Sequence, residues 1–345
     1  MSVLARNGLL VSIFLLMQAC GGSSTSDENI NPVIDPPSPD AEQYAKPTGT
    51  YSSFVGNGLS LENEQAQGGL VRVKWSEIEP SNDSYDWNAI YEQVNAMDAY
   101  SSGKPWSLGI IAGKDSPTWL FDLGVTHFTI DFRGEPVEVP KFWDEQLQLH
   151  LDNLANAVAA EFGDDPRLVL VYVPQMTGNG IEGHFNGVPI ETLTDAGLTA
   201  ENWIAAVENA AINFAFAFTD KPIAVEVHEI MNDSSIPETI INNLWNNPAL
   251  EQRVGAAMWW ISGKDDYQSA LVTILKNFPG DLYGQVIGRS DQVERFKDNN
   301  YLTVLEQAQE LNMRYIEPWN FEFENHTFDS EFEEFNLWAK ETFQE

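Results

Sequence analysis

Eight short apolar runs, each separated from the next by a stretch with helical spacing, constrain this chain more than any other feature. The runs are Gly49 to Phe54, Leu70 to Trp75, Trp106 to Ile111, Leu168 to Val173, Pro222 to Val227, Val254 to Trp260, Leu282 to Ile287 and Arg314 to Trp319. Most are continuous in aliphatic, β-branched and aromatic residues, as expected of strands covered on both faces. Between them, apolar spacing predicts helices over about Trp87 to Ser101, Asp144 to Glu161, Glu201 to Phe218 and Tyr301 to Leu311. In the second of these, Leu147, Leu151, Leu154 and Val158 share one face. Buried strands joined by crossover helices imply a parallel sheet, and eight such units in about 300 residues favour a closed barrel over an open doubly wound sheet. An open nucleotide-binding sheet would carry GxGxxG or GxxxxGK[ST], and the chain has neither. The expected fold is α/β, a single (β/α)8 TIM barrel spanning residues 47–345.

The N-terminus reads as an address. Arg6 supplies a short positive region, and Leu9 to Met17 form an apolar run too short to span a bilayer. The run ends in Met17-Gln-Ala-Cys20, and Cys20 is the only cysteine of the chain. This segment, residues 1–20, resembles a bacterial lipoprotein signal peptide, in which such a Cys is lipidated. The resemblance implies an acylated Cys20 as membrane anchor. Gly21 after the cysteine, by the same resemblance, implies the outer membrane, facing periplasm or exterior. Residues 21–46 are rich in Gly, Ser, Asp and Pro, cannot bury enough apolar surface to fold, and read as a spacer.

Charge excludes a class of partners. With 18 Lys+Arg against 52 Asp+Glu, the net charge is −34, which repels phosphate backbones and rules against nucleic acid. The bland reading of that acidity is a solvated surface suited to salty surroundings. With one cysteine there is no intrachain disulfide and no Cys-based metal site. The five histidines show no metal-ligand spacing, and His228-Glu229 does not continue to a second His as HExxH would. No metal or cofactor is expected, and the chain is expected to act as a monomer.

In such barrels the reactive side chains sit at the C-terminal ends of strands and in the loops that follow. Arg72 sits with Trp75-Ser-Glu-Ile-Glu-Pro80 and Tyr85-Asp-Trp87 around the end of the second run; Pro117-Thr-Trp119-Leu follows the third; Gln175 and Gly178-Asn-Gly-Ile-Glu182-Gly-His184-Phe185 follow the fourth. Taken in order, these motifs, together with Glu161 to Leu168, resemble the clan A glycoside hydrolase barrels, most of all the family 42 β-galactosidases. The resemblance covers about Gly69 to Phe185 and, more loosely, Arg314 to Trp319. It implies a glycosidase of oligo- or polysaccharides, with Glu182 matching the position of a catalytic acid.

Glycoside hydrolysis needs a second carboxyl group. Relatives place it as a Glu at the end of the seventh strand, but here that strand ends Gln285-Val-Ile-Gly-Arg289, with no Glu. Glu317 in the eighth run is the preferred substitute, opposite Glu182 across the mouth, with Glu229 after the fifth run as the alternative. An opposed pair points to inversion. Glu317 could equally be a structural partner of Arg72 or Arg314. Glu226 and His228 share one strand face, with Glu229 on the other. Sugar faces stack on aromatic rings, so Trp75, Trp119, Trp259, Trp260 and Trp319 are candidate platforms, with Arg72, Gln175, His184 and His228 as polar contacts. The missing Glu also fits a non-catalytic glycan-binding barrel, and a polysaccharide lyase using a base such as His228 or Tyr172 is a third reading.

Overall fold

The computed structural model describes residues 46–343. The segment expected to be a signal peptide, Cys20, and the expected spacer up to residue 45 lie outside the described residues. Among the described residues ten strands occur in chain order: β1 (Gly49–Ser52), β2 (Gly68–Lys74), β3 (Trp106–Ile111), β4 (His127–Phe132), β5 (Glu135–Pro140), β6 (Leu168–Tyr172), β7 (Ile223–Glu226), β8 (Val254–Ile261), β9 (Leu282–Val286) and β10 (Tyr315–Glu317). Eight of them close a parallel barrel in the order β1-β2-β3-β6-β7-β8-β9-β10, with β10 pairing back to β1. These are the eight apolar runs, so the barrel matches the expected fold.

Helices cover the outside at Asn88–Tyr100, Glu145–Phe162, Ala200–Ala217, Ser235–Asn246, Ser269–Asn277, Thr303–Glu310 and Asp329–Thr342. Four of them, Asn88–Tyr100, Glu145–Phe162, Ala200–Ala217 and Thr303–Glu310, fall where apolar spacing predicts helices. On Glu145–Phe162, Leu147, Leu151, Leu154 and Val158 are fully buried, at about 1.5–3 kcal/mol per side chain. Asp144 starts that helix by accepting the amides of Gln146 and Leu147, which satisfies two donors that have no intrahelical partner.

The pair β4 and β5 was not expected. It is an antiparallel hairpin inserted between the third and fourth barrel strands. Its two-residue turn, Arg133-Gly134, has positive φ at both positions (59° and 88°), the backbone that matches strand twist. Arg-Gly is a weaker turn signal than Asn-Gly, and Asp131 compensates by accepting the Gly134 amide at 2.9 Å.

Alternation along each barrel strand sorts the interior into levels. Leu70, Leu170, Ala224, Ala257, Tyr283 and Tyr315 form one apolar cluster inside the barrel with Tyr51. Two residues further along the same strands stand Arg72, Tyr172, Glu226, Trp259, Gln285 and Glu317. The interior therefore changes from apolar to polar toward the C-terminal ends of the strands.

Candidate active site

The polar level is built around Glu317, which is fully buried. Its Oε1 accepts the hydroxyls of Tyr172 (2.9 Å) and Tyr315 (2.5 Å), and its Oε2 accepts the Gln285 amide (2.6 Å). The Gln285 carbonyl takes Arg72 Nη2 at 2.7 Å, and the guanidinium lies 4.8 Å from the Trp259 ring centre. Burial pushes the Glu317 carboxyl up to about 7, against the pull of its donors and of Arg72. Burial also lowers Arg72, while the charges of Glu317 and Glu182 hold it up, so both carboxyl groups act on one guanidinium. Gln285 occupies the end of the seventh barrel strand, where a Glu would stand in relatives of the resembled family.

Glu182 arrives on the loop that follows β6. Two glycines make this loop possible by letting backbones touch. A Cβ on Gly113 (φ 58°) would lie 1.8 Å from the Thr177 carbonyl oxygen, and one on Gly180 (φ 76°) would lie 2.4 Å from that of Ala112. Gln175 pins the loop from within, its amide donating to the carbonyls of Ile181 (3.2 Å) and Glu226 (2.6 Å). Ile181 packs inside the barrel mouth over Gly109. Glu182 itself keeps 26% of its side-chain surface exposed, with Oε2 3.3 Å from His184 Nε2. Burial would raise its carboxyl, but His184, His228 and Arg72 together hold it below the ordinary range.

A second buried carboxylate completes the cluster. Glu226 accepts the backbone amides of Gly183 (2.6 Å) and Trp259 (3.2 Å) and the Nδ1 of His228, which spans both oxygens at 2.9 and 3.0 Å. Burial and the charge of Glu182 push it up to about 8. Burial and the neighbouring His184 push the His228 imidazole well below its usual pKa. Glu182, His184 and His228 bring ligand-type atoms within 4.8 Å of one another.

Arg72, Gln175, Glu182, His184, His228 and Glu317 are thus brought together at one end of the barrel. Glu229 is not part of the cluster: it is half-buried, its amide donates to Gln268, and its carboxylate makes no hydrogen bond or ion pair. The indoles require a correction. Trp75 is fully buried on the outer side of β2, its N–H spent on Glu79 (2.7 Å), and packs edge-on against Trp119, whose N–H takes the Glu79 carbonyl (2.9 Å). Trp260 is 2% exposed, bonded to the Val227 carbonyl and packed on His228, and Trp319 donates to the carbonyl of Val286. Trp75 and Trp260 therefore expose no face to a sugar. Trp259, under the Arg72 guanidinium, is likewise buried at 5% exposed, and Tyr267, 37% exposed, is an aromatic that no sequence motif singles out. Tyr315 and Gln285 also belong to the cluster, and strand alternation from Glu317 and Tyr283 points to both. Of the Glu226, His228 and Glu229 group, it is Glu226 rather than Glu229 that joins it.

Tyr267 also walls a cleft of about 470 Å³ lined by Ser262, Lys264, Asp266, Ile287 and Arg295, from the loops after β8 and β9. The Tyr267 hydroxyl accepts Asn186 of the Glu182 loop at 2.9 Å, which places the cleft beside the carboxylate cluster.

No protein-family model and no curated protein sequence matches the chain. Solved structures do. An endo-glycoceramidase II from Rhodococcus sp. aligns over 81% of this chain and 75% of its own, with TM-score 0.50 at 12% identity. A xylanase from Paenibacillus barcinonensis aligns over 80% and 85%, with TM-score 0.48 at 14% identity. Xylanase B from Clostridium stercorarium F9 aligns over 79% and 86%, with TM-score 0.45 at 14% identity. At these identities the likeness is one of fold.

Proposed function

We propose that the chain is a glycosidase of oligo- or polysaccharides, tethered to the outer membrane through a lipidated Cys20. The observation that carries this reading is the placement of two carboxyl groups at one barrel mouth, Glu182 on the loop after the fourth barrel strand and Glu317 on the eighth, with Gln285 bridging Glu317 to Arg72. The fold neighbours, a xylanase and an endo-glycoceramidase, are glycosidases, which agrees with the reading without carrying it.

The environments of the two carboxyl groups assign roles in reverse of the sequence expectation. Glu317, buried and pushed up to about 7, keeps a protonated population near neutrality and supplies the proton to the leaving glycosidic oxygen. As the bond from the anomeric carbon to that oxygen breaks, a water attacks the same carbon and passes its proton to Glu182, the more open carboxylate. The proton lost by Glu317 and the one gained by Glu182 balance through solvent before the next turnover. Glu317 and Ile181 are both fully buried inside the barrel, so side chains at the mouth have to move before a sugar ring reaches Glu317. Because the carboxylates come from opposed strands, inversion at the anomeric carbon is expected, and NMR of the first-formed product tests it.

A panel of polysaccharides, read by release of reducing ends, tests the activity. Glu182→Gln and Glu317→Gln should each lower turnover by at least about 10²-fold with the fold intact. Normal turnover in either variant refutes the pair. A second reading, a barrel that binds glycan without cleaving it, is favoured by Gln285 at the seventh strand and by the complete burial of Glu317. Binding with no reducing ends would select it, and products absorbing as unsaturated sugars would select a lyase.

A further inference from the structure

Metal-ligand spacing is absent from the sequence, yet the fold gathers three ligand-type side chains from a loop and the neighbouring strand end. We propose that Glu182, His184 and His228 form a binding site for a divalent transition metal of the zinc type. Their ligand atoms lie within 4.8 Å of one another. One pair already stands at coordination spacing: Glu182 Oε2 and His184 Nε2 are 3.3 Å apart. Two ligands bound to one tetrahedral ion at about 2.0–2.1 Å would be separated by about the same distance. The two imidazole rings lie 4.5 Å apart between centroids.

The support behind His228 is the stronger argument. Its Nδ1 is held by the buried Glu226, which leaves Nε2 for a ligand. A carboxylate behind a ligating imidazole fixes the tautomer and ring orientation and raises its basicity. Glu226 is itself fixed by the amides of Gly183 and Trp259. Gly183 lies between Glu182 and His184, so one carboxylate orients the third ligand and anchors the loop carrying the other two.

Ligation through His184 Nε2 puts the ring proton on Nδ1, which now accepts the Asn186 amide at 3.1 Å. That contact is given up, as is the contact of the Asn179 side-chain amide 3.0 Å from Nε2, and since Asn186 is exposed, water takes its place. Two imidazoles and one carboxylate suit zinc, cobalt or nickel, whereas magnesium and calcium take oxygen ligands throughout. Three protein ligands leave a fourth position open. A bound ion would occupy the carboxylate assigned above to proton transfer, so metal loading and hydrolysis exclude each other. The site itself does not rest on the glycosidase reading.

Calorimetric titration of the full chain with Zn²⁺ tests the site. One ion per chain is expected, with Mg²⁺ bound at least about 100-fold more weakly. His184→Ala and His228→Ala should each lower zinc affinity by at least about 10²-fold, and Glu226→Gln by about 10–100-fold. His127→Ala, on the exposed β4 strand, should leave it unchanged. If His228→Ala does not fold, His184→Ala, confined to a loop, still decides the question. No zinc binding, undiminished binding in His184→Ala, or equal affinity for Mg²⁺ would overturn the proposal. Catalysis does not enter the measurement, so the zinc site and the glycosidase reading fail or stand separately.

Discussion

Replacing Glu317 with Gln gives a sharp test of the polar level of the barrel, because it removes a charge while keeping the shape. Burial raises this carboxyl from an ordinary 4.5 to about 7. A raised acid pKa means that the folded protein holds the proton more tightly than the unfolded chain does. The stabilising contribution is therefore complete below about pH 4.5 and is lost as pH climbs through 7. A rise from 4.5 to about 7, at 1.36 kcal/mol per pH unit, amounts to about 3 kcal/mol. The Gln variant has no such titration. It does carry a fixed penalty, since its amide nitrogen would face the Gln285 donor now 2.6 Å from Oε2. That penalty is independent of pH and cancels when two pH values are compared. Urea unfolding of both proteins at pH 4.5 and pH 8 should show the stability difference, variant minus parent, rising by about 3 kcal/mol toward the higher pH. A flat difference would mean that the Tyr172, Tyr315, Gln285 and Arg72 cradle cancels the cost of burying the charge. A falling difference would mean that it over-compensates, and the acid role of Glu317 would go with it.

Other outcomes follow from the same geometry. Tyr315→Phe deletes one of the two hydroxyls on Glu317 Oε1 and should raise the Glu317 pKa, moving the matching limb of the pH–rate profile upward while Tyr172 holds the side chain in place. An unmoved limb would show that another group titrates. Gly113→Ala places a methyl against the Thr177 carbonyl at a backbone angle L-residues avoid, so thermal unfolding should show a loss of at least about 1 kcal/mol and weakened activity through the Glu182 loop. Unchanged stability would mean that the loops after β3 and β6 separate easily. Cys20→Ser should move the protein from the membrane to the soluble fraction on fractionation, and continued membrane retention would remove the lipid anchor.

The barrel was legible because its signal is repeated eight times and each run is long enough to declare itself. The hairpin of β4 and β5 was not, because His127 to Phe132 is polar on every exposed position and its turn lacks the usual Asn-Gly. The site was legible in part. Glu182 and His184 could be read from a loop at the reactive end, and Glu317 from its apolar neighbours. What one-dimensional reading missed was side-chain direction combined with burial. Trp75 follows β2 directly, yet it opens a helical turn, Trp75–Ile78, that buries the ring on the outer face against Trp119. Alternation already separates Glu226 from Glu229, but which of the two faces is inward shows only in the fold, which carries Glu226 to three donors and leaves Glu229 outside the cluster. The metal-type set could not be seen in sequence at all, since His228 reaches Glu182 and His184 only across the pairing of β6 with β7.

Gln285 carries an evolutionary consequence. Glutamine and glutamate codons differ at a single base, so one point mutation would return a carboxylate to the seventh strand. It would arrive with its counter-ion in place, 2.7 Å from Arg72, but it would no longer donate to Glu317 and would set a negative charge beside it. Glu317 would then be driven further toward its neutral form, and the two side chains would have to share a proton. The amide at position 285 thus acts as a reversible genetic latch, one base away from a different division of acid and base around the same ring of strands.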